Sequence, residues 1–149
     1  MCNLPESTLE ERFSAALHAT ARAWRLGLDA RLKDLGVGQA GWMTIAMVAK
    51  SPAELSQKEL ADLLGVEGPT IVAMIDRLVK SGLVLRAPSA TDRRVKLVRL
   101  TEAGRSLYAK VKDQANAFRS SLLSEVDQAT LRAATDMLDA LRARIEAAL

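Results

Sequence analysis

The stretch from Leu55 to Glu102 constrains the fold of this 149-residue chain more than any other. It opens with Ser56-Gln57-Lys58-Glu59. This is the spacing of a capping box, in which the serine and glutamate side chains each bind the other residue's backbone N–H at the start of a helix. Gly65 follows the short helix, and glycine adopts the positive φ of a tight turn at little cost. The sequence therefore predicts a helix and then a turn over residues 56–65.

A second, amphipathic helix is predicted directly after this turn, from Glu67 or Gly68 to Gly82. Proline fits its first turn, where the missing N–H is no loss. Apolar residues recur at helical spacing on one face, namely Ile71, Met74, Ile75, Leu78 and Val79. The opposite face carries Pro69, Thr70, Ala73, Asp76 and Arg77. One apolar face and one face of small and polar residues are typical of a helix that lies in a DNA groove.

A β-hairpin with a basic tip is predicted after the second helix. Leu83 to Arg86 forms one expected strand, and the alternating residues from Val95 to Leu100 form the other. The tip between them is the turn-rich run Pro88-Ser89-Ala90-Thr91-Asp92-Arg93-Arg94. Thr101 then caps a further helix. Helix, turn, helix and basic hairpin together predict a winged helix-turn-helix over residues 40–100, in a chain that is mainly α with a small β wing.

Positive charge is concentrated in the predicted wing region. Residues 84–105 contain six arginine or lysine residues and two acids, a net charge of +4, whereas the whole chain carries +3. Positive charge gathered in one place favours contacts with DNA phosphates. A basic hairpin that is merely solvated is the alternative interpretation.

Helices are also predicted on both sides of the winged region. The first runs over residues 7–35, with Ser7 and Glu10 as its capping box, and the second runs from about Ala40 to Lys50. Thr101 begins a long helix, and Asp127 caps the last one.

In this last helix two sets of residues recur every seven positions, namely Leu131, Leu138 and Ile145, and Ala134, Leu141 and Ala148. Such a heptad seam suits packing against another helix. We expect residues 7–35 and 101–149 to form a dimerisation region. Packing of the seam within one chain is the alternative.

The wing region also carries a family resemblance. Asp92-Arg93-Arg94 at the tip, followed by Leu100-Thr101-Glu102-Ala103-Gly104, resembles the MarR family of bacterial transcription regulators. Arg22-Ala23-Trp24-Arg25, together with Trp42, resembles the SlyA-type branch of that family. The resemblance covers almost the whole chain, as one MarR-type domain over residues 1–149. It implies a homodimeric, sequence-specific DNA-binding regulator, expected to be a repressor, that binds an inverted-repeat operator.

Ten residues are predicted to contact DNA. The resemblance implies that Asp92 holds Arg94 for insertion into the minor groove, whose narrow and negative interior attracts arginine. A surface ion pair of little energetic value is the alternative. Thr70 suits a base contact and Arg77 suits a phosphate, whereas Ala73 replaces an arginine of the SlyA-type pattern and so removes a guanine contact. The predicted set is Ser56, Gln57, Gly68, Pro69, Thr70, Ala73, Arg77, Asp92, Arg93 and Arg94.

Arg22, Arg25 and Trp42 form the predicted ligand site. The two arginines are three residues apart and are therefore neighbours on one helix face. The resemblance implies that a small aromatic carboxylate binds near these positions, with Trp42 as the wall of a crevice. Two solvent-facing arginines, or arginines paired with acids in a dimer, are the alternative.

Composition disfavours other functions. The sequence has one histidine, His18, one cysteine, Cys2, which is expected to be inert, and no glycine-rich phosphate loop or metal-ligand motif. We therefore expect no enzymatic activity, cofactor or metal. No apolar run reaches the roughly 18 residues of a membrane span, and no signal pattern opens the chain, so we expect a cytoplasmic protein that binds no membrane. A winged-helix module that binds proteins without small-molecule control is the alternative function.

Overall fold

The structure is a computed structural model that describes residues 7–149. Six α-helices and three β-strands lie in this part of the chain. In chain order they are α1 (Leu9–Leu32), α2 (Gly38–Lys50), β1 (Leu55–Ser56), α3 (Gln57–Leu64), α4 (Gly68–Lys80), β2 (Val84–Pro88), β3 (Lys96–Leu100), α5 (Glu102–Leu123) and α6 (Gln128–Ala147). A 3₁₀ turn, Lys33–Leu35, follows α1. The predicted fold class, mainly α with a small β wing, is confirmed.

The chain forms two compact units that divide within α5. The first contains the described residues up to Ala115, and the second runs from Asn116 to Leu149. The predicted boundaries between the dimerisation and DNA-binding regions stay a prediction. None of the helices between residues 7 and 149 has the length and apolarity needed to cross a membrane.

The core of the first unit lies between α2, α3, α4 and the sheet. Its central side chains are aliphatic and buried, namely Ile45, Leu60, Ile71, Ile75, Leu78, Val84 and Val98. Val79 was predicted to belong to the same stripe but is exposed. It lies about 80° around the helix from Ile71, at the edge of the apolar face, where the core no longer covers it.

The sheet has three antiparallel strands in the order β1-β3-β2. Leu55 pairs with Val98 across the β1–β3 edge, and β2 pairs with β3 from Val84 opposite Leu100 to Pro88 opposite Lys96. The strand β1 was not predicted. The predicted hairpin is confirmed, but its strands are shifted: Pro88, placed in the tip, ends β2.

The first two helices begin as the sequence predicted, but at slightly different residues. The first capping box is formed by Thr8 and Glu11 rather than by Ser7 and Glu10, because the Thr8 side chain accepts the N–H of Glu11 at 3.2 Å and Glu11 accepts the N–H of Thr8 at 2.9 Å. The second helix begins at Gly38, two residues before the predicted start. Cys2 lies outside the described residues.

The turn after α4 and the first turn of α5 pack backbone against backbone. Thr101 donates its hydroxyl to the carbonyl oxygen of Gly82 at 2.6 Å, and the same hydroxyl accepts the N–H of Gly104 at 3.0 Å. A Cβ atom at Gly104 would lie 2.0 Å from the carbonyl oxygen of Leu83. Only glycine therefore permits this approach, and the predicted cap at Thr101 is confirmed.

In the second unit, the helix α6 begins at its predicted cap. Asp127 accepts the N–H of Thr130 at 2.9 Å, and this bond lowers the pKa of the Asp127 carboxyl below its ordinary value. No residue of α6 is buried within the described chain. Leu138 and Ile145 of the heptad seam are 40% and 55% exposed.

Candidate nucleic-acid interface

The helix-turn-helix is built by the local signals that predicted it. Ser56 accepts the N–H of Glu59 at 3.2 Å, and Glu59 accepts the N–H of Ser56 at 2.7 Å. The second of these bonds holds the pKa of the Glu59 carboxyl below its ordinary value. Gly65 follows with a φ of 66°, and the chain then enters α4. The predicted capping box and glycine turn are confirmed.

α4 is the second helix of the motif, the position of a recognition helix. Its own residues Ile71, Ile75 and Leu78 are buried in the core. Its exposed face carries Gly68, Pro69, Thr70, Ala73 and Arg77. Small side chains keep this face narrow, so that it can approach base edges closely. The structure therefore brings the five predicted α4 residues onto one accessible surface.

The wing consists of β2, β3 and the tip residues 89–95 between them. At the tip Asp92 accepts three bonds from Arg94: from the backbone N–H at 3.0 Å, from Nε at 3.2 Å and from Nη2 at 3.3 Å. These bonds lower the pKa of the Asp92 carboxyl, the side-chain bond from Arg94 first. The Arg94 side chain is 92% exposed although it is held at two points. Arg93 beside it is also exposed.

A basic cleft connects the wing to the start of α3. It has a volume of about 320 Å³ and is lined by Ser56, Gln57, Lys58, Arg94, Val95 and Lys96. Three of these side chains are cationic, so the cleft suits a phosphate group. Lys58 was not among the predicted site residues, because a lysine in the first turn of a helix carries no distinctive pattern. Lys58 comes close to Arg94 only because the wing folds back toward the start of α3.

Of the predicted ligand residues, Trp42 lies at the contact between α2 and α1, and Arg22 and Arg25 lie on the exposed surface of α1. Trp42 is 8% exposed, and its indole N–H donates to Asp29 Oδ1 at 3.2 Å. Asp29 is four residues after Arg25 and seven after Arg22, a spacing that puts all three on one side of α1. The two arginines are exposed. Because Trp42 is nearly buried, its ring is not an open wall in this single chain.

Sequence reasoning missed an apolar groove in the first unit. This groove has a volume of about 560 Å³ and lies between the end of α2, β3 and the start of α5. Its apolar lining includes Val48, Leu55, Leu100 and Tyr108, and Arg99 and Arg105 stand at its edge. The contributing residues come from three separate parts of the chain, so no local pattern indicates it.

The winged helix, the exposed face of α4 and the clamped wing arginine define a DNA-binding protein of the winged helix-turn-helix class. The sequence profile of the MarR family matches residues 35–95. The chain is also 36% identical to the transcriptional regulator PA3341. That match covers 90% of this chain and 98% of that one, with a TM-score of 0.83. The protein belongs to the MarR family of DNA-binding transcriptional regulators.

Two further crystal structures share the fold at lower identity. A MarR-family regulator from Listeria monocytogenes, solved with a 26mer DNA, is 21% identical and has a TM-score of 0.77, with 88% of this chain and 87% of that one covered. CouR from Rhodococcus jostii RHA1, solved with p-coumaroyl-CoA, is 21% identical and also has a TM-score of 0.77, with 91% and 95% covered. The first of these structures contains DNA and the second a small acyl-CoA ligand.

Proposed function

We propose that this protein is a cytoplasmic, homodimeric repressor that binds an inverted-repeat operator and is released from it by a small aromatic acid. The observation that carries the DNA-binding part is the geometry of Arg94. This guanidinium is almost fully exposed, yet Asp92 holds it at two nitrogens. A surface arginine that is both displayed and pre-oriented loses little conformational entropy when it enters a narrow minor groove.

The two reading elements have different tasks in this proposal. Thr70 and Ala73 on α4 contact base edges in the major groove, where a threonine methyl can meet a thymine methyl. Gly68 and Pro69 allow the start of the helix to approach closely. Arg77, farther along the same face, binds a phosphate, and the SlyA-type arginine that Ala73 replaces contributes no guanine contact here.

We propose that a DNA phosphate binds in the basic cleft. The cleft lies between the start of α3 and the wing, with Ser56 and Gln57 on one side and Arg94 on the other. A phosphate there contacts both elements and fixes the register of the protein on the duplex without reading sequence. Arg93 adds a further phosphate contact at the tip.

Control by a ligand is the second part of the proposal. Arg22 and Arg25 present two exposed guanidinium groups on the side of α1 that holds Trp42 through Asp29. A carboxylate that binds these arginines brings a second negative charge near Asp29, and we propose that this repulsion weakens the bond between Asp29 and Trp42. An aromatic acid then gains both an ion pair and an apolar ring to pack against. Membership of the SlyA-type branch is part of this proposal, and the acyl-CoA bound by CouR is consistent with an aromatic acid derivative.

A protein-binding module without small-molecule control is the alternative function, because winged helices also serve as docking domains. The concentration of cations in the wing and the basic cleft favours DNA. Binding to duplex DNA should weaken steeply as salt concentration rises, because phosphate contacts release counterions. Binding to a protein partner with little dependence on salt would favour the module.

Selection of bound sequences from random duplex DNA tests the proposed function. We expect an inverted repeat whose half-sites lie about 10 bp apart, because a two-fold dimer places its two recognition helices in successive major grooves. The same selection at high salt serves as the control and should recover fewer sequences with the same motif. Recovery of single, unrepeated half-sites would contradict symmetric docking.

Substitutions at Arg94 and Thr70 separate the wing from the recognition helix. We expect Arg94→Ala to lower operator affinity by about tenfold or more and to remove the preference for narrow-groove flanking sequence. Thr70→Ala should instead change the base preference inside the half-site. Titration of labelled duplexes that differ only in flank or only in half-site measures both effects.

Arg94→Lys is the matched control for charge at the wing tip. Lysine keeps the positive charge but cannot bind Asp92 at two nitrogens, so it should restore part of the affinity and little of the flank preference. If Arg94→Ala has the affinity and flank preference of the wild type, the wing takes no part in DNA binding.

A further inference from the structure

One guanidinium group joins three separate elements of the DNA-binding region. Arg86, in the middle of β2, donates its Nε–H to Oε1 of Gln57 in α3 at 2.5 Å. Its Nη2 lies 2.7 Å from Oδ1 of Asp76 in α4 and 3.4 Å from the carbonyl oxygen of Val72 in the same helix. We name these four residues the Arg86 cluster.

The Arg86 cluster is partly exposed, but it holds its arginine at three acceptors rather than one. The Arg86 side chain is 27% exposed and the Asp76 side chain 60%. Arginine suits this position because its planar group carries several N–H donors in a fixed fork, so that one side chain binds three acceptors at once. A lysine could reach one of these acceptors but not all three in the same pose.

The Arg86 cluster lies at the base of the wing tip. Arg86 pairs with Val98 in the middle of β2 and β3, where Leu55 of β1 also pairs with Val98, so the sheet has three strands at this point. The strand β1 ends one residue farther along, and only β2 and β3 continue to the tip that carries Arg94. A two-stranded ribbon is marginally stable by itself and twists readily. A contact at the base of this ribbon that is tied to α4 therefore limits how far the tip can swing relative to the recognition helix.

We infer that Arg86 is a positioning residue that fixes the distance between the recognition helix and the wing tip. It thereby sets the number of base pairs between the half-site and the flanking narrow groove. This inference rests on the proposed DNA interface. Successive base pairs are about 3.4 Å apart, so a tip held to within less than this distance accepts one spacing, whereas a tip that swings farther accepts several.

The competing explanation is that the cluster only stabilises the fold. In that case its loss would lower the free energy of unfolding, by a modest amount because exposed ion pairs contribute little to stability. The DNA-binding geometry of the folded protein would stay unchanged. The two explanations differ in one observable. A purely stabilising contact alters the melting temperature, whereas a positioning contact alters the preferred spacing between half-site and flank at temperatures where the protein is fully folded.

The test uses a set of duplexes with a constant half-site and a narrow-groove flank placed at successive distances from it. We expect the full-length wild type to prefer one spacing over its neighbours by about tenfold, the cost of one poor contact in a specific complex. Arg86→Met keeps the length and apolar stem of the side chain but removes the fork. In this variant the preference should fall below about threefold, because adjacent spacings become accessible. Arg86→Lys should lie between the two.

Arg99→Met is the matched control on the same sheet. Arg99, in β3, forms an ion pair with Glu54 rather than with α4. Its loss removes the same charge from the wing region and should lower affinity, but it should leave the preferred spacing as in the wild type. If Arg86→Met is poorly folded, Asp76→Ala removes the partner on α4 instead, and it should relax the spacing in the same way.

Each result decides between the possibilities. A wild type that binds no duplex overturns the proposed DNA interface. A wild type that binds DNA without any preferred spacing overturns the positioning role of Arg86, since no fixed distance then exists. An unchanged spacing in both Arg86→Met and Asp76→Ala overturns it as well, as does an equal loss of preference in Arg99→Met.

Discussion

Aspartate at both Leu138 and Ile145 should convert the protein into a monomer and lower its affinity for the full operator by about 100-fold or more. These side chains lie seven residues apart on α6, and both are exposed in the single chain. In the proposed dimer they are buried in a helix–helix seam, and two charges placed there oppose association. A monomer loses the second half-site, and with it the gain in affinity from binding two linked sites at once.

Sedimentation analysis measures the association state. Titrations of full and half operators measure the gain in affinity that comes from binding two linked half-sites. Aspartate at Ala133 and Ala140, on the opposite side of α6, is the matched control and should leave the dimer intact. The Leu138 and Ile145 variant and this control variant should bind an isolated half-site equally well. If the Leu138 and Ile145 variant stays dimeric, or if its monomer binds the full operator like the wild type, the seam is not the dimer interface.

Small aromatic acids of the salicylate type should release the protein from its operator, with a loss in DNA affinity of about 5- to 150-fold. A ligand that binds one arrangement of the DNA-reading elements more tightly shifts the population toward it. If that arrangement misfits the operator, linkage requires that ligand binding weaken DNA binding by the same factor as DNA weakens ligand binding. Arg25→Ala should blunt this response without changing the operator affinity of the ligand-free protein.

Titration of the operator complex with a panel of aromatic acids measures the response. Arg12→Ala removes an exposed arginine elsewhere on α1 and is the matched control, which should respond like the wild type. A response that is lost in Arg105→Ala and kept in Arg25→Ala would move the site to the apolar groove beside β3. If no acid of the panel changes DNA affinity, control by aromatic acids is wrong.

The parts of the fold that sequence predicted are those specified by neighbours in the chain. The Ser56–Glu59 capping box, the turn at Gly65 and the cap at Thr101 each depend on residues at most four positions apart. The strand β1 was missed because Leu55 pairs with Val98, and no pattern around Leu55 indicates that partner. The first helix shows the limit of a local signal, since both Ser7 and Thr8 precede an acid by three residues, and only the second pair caps the helix.

The candidate site divides in the same way. The clamp on Arg94 was predictable because Asp92 is two residues away. The Arg86 cluster was not, because its partners are 10, 14 and 29 residues distant in sequence. Trp42 was predicted as an open wall, but its burial and its bond to Asp29 depend on how α1 packs against α2. Contacts of this kind are fixed by tertiary packing, which periodicity does not encode.

The close approach at Gly104 fixes the start of α5 directly against the turn that follows α4. No side chain separates its backbone from the carbonyl oxygen of Leu83, so no rotamer change can absorb a displacement there. A displacement of the first turn of α5 should therefore also displace the turn at Gly82, where the recognition helix has just ended and the first strand of the wing is about to begin.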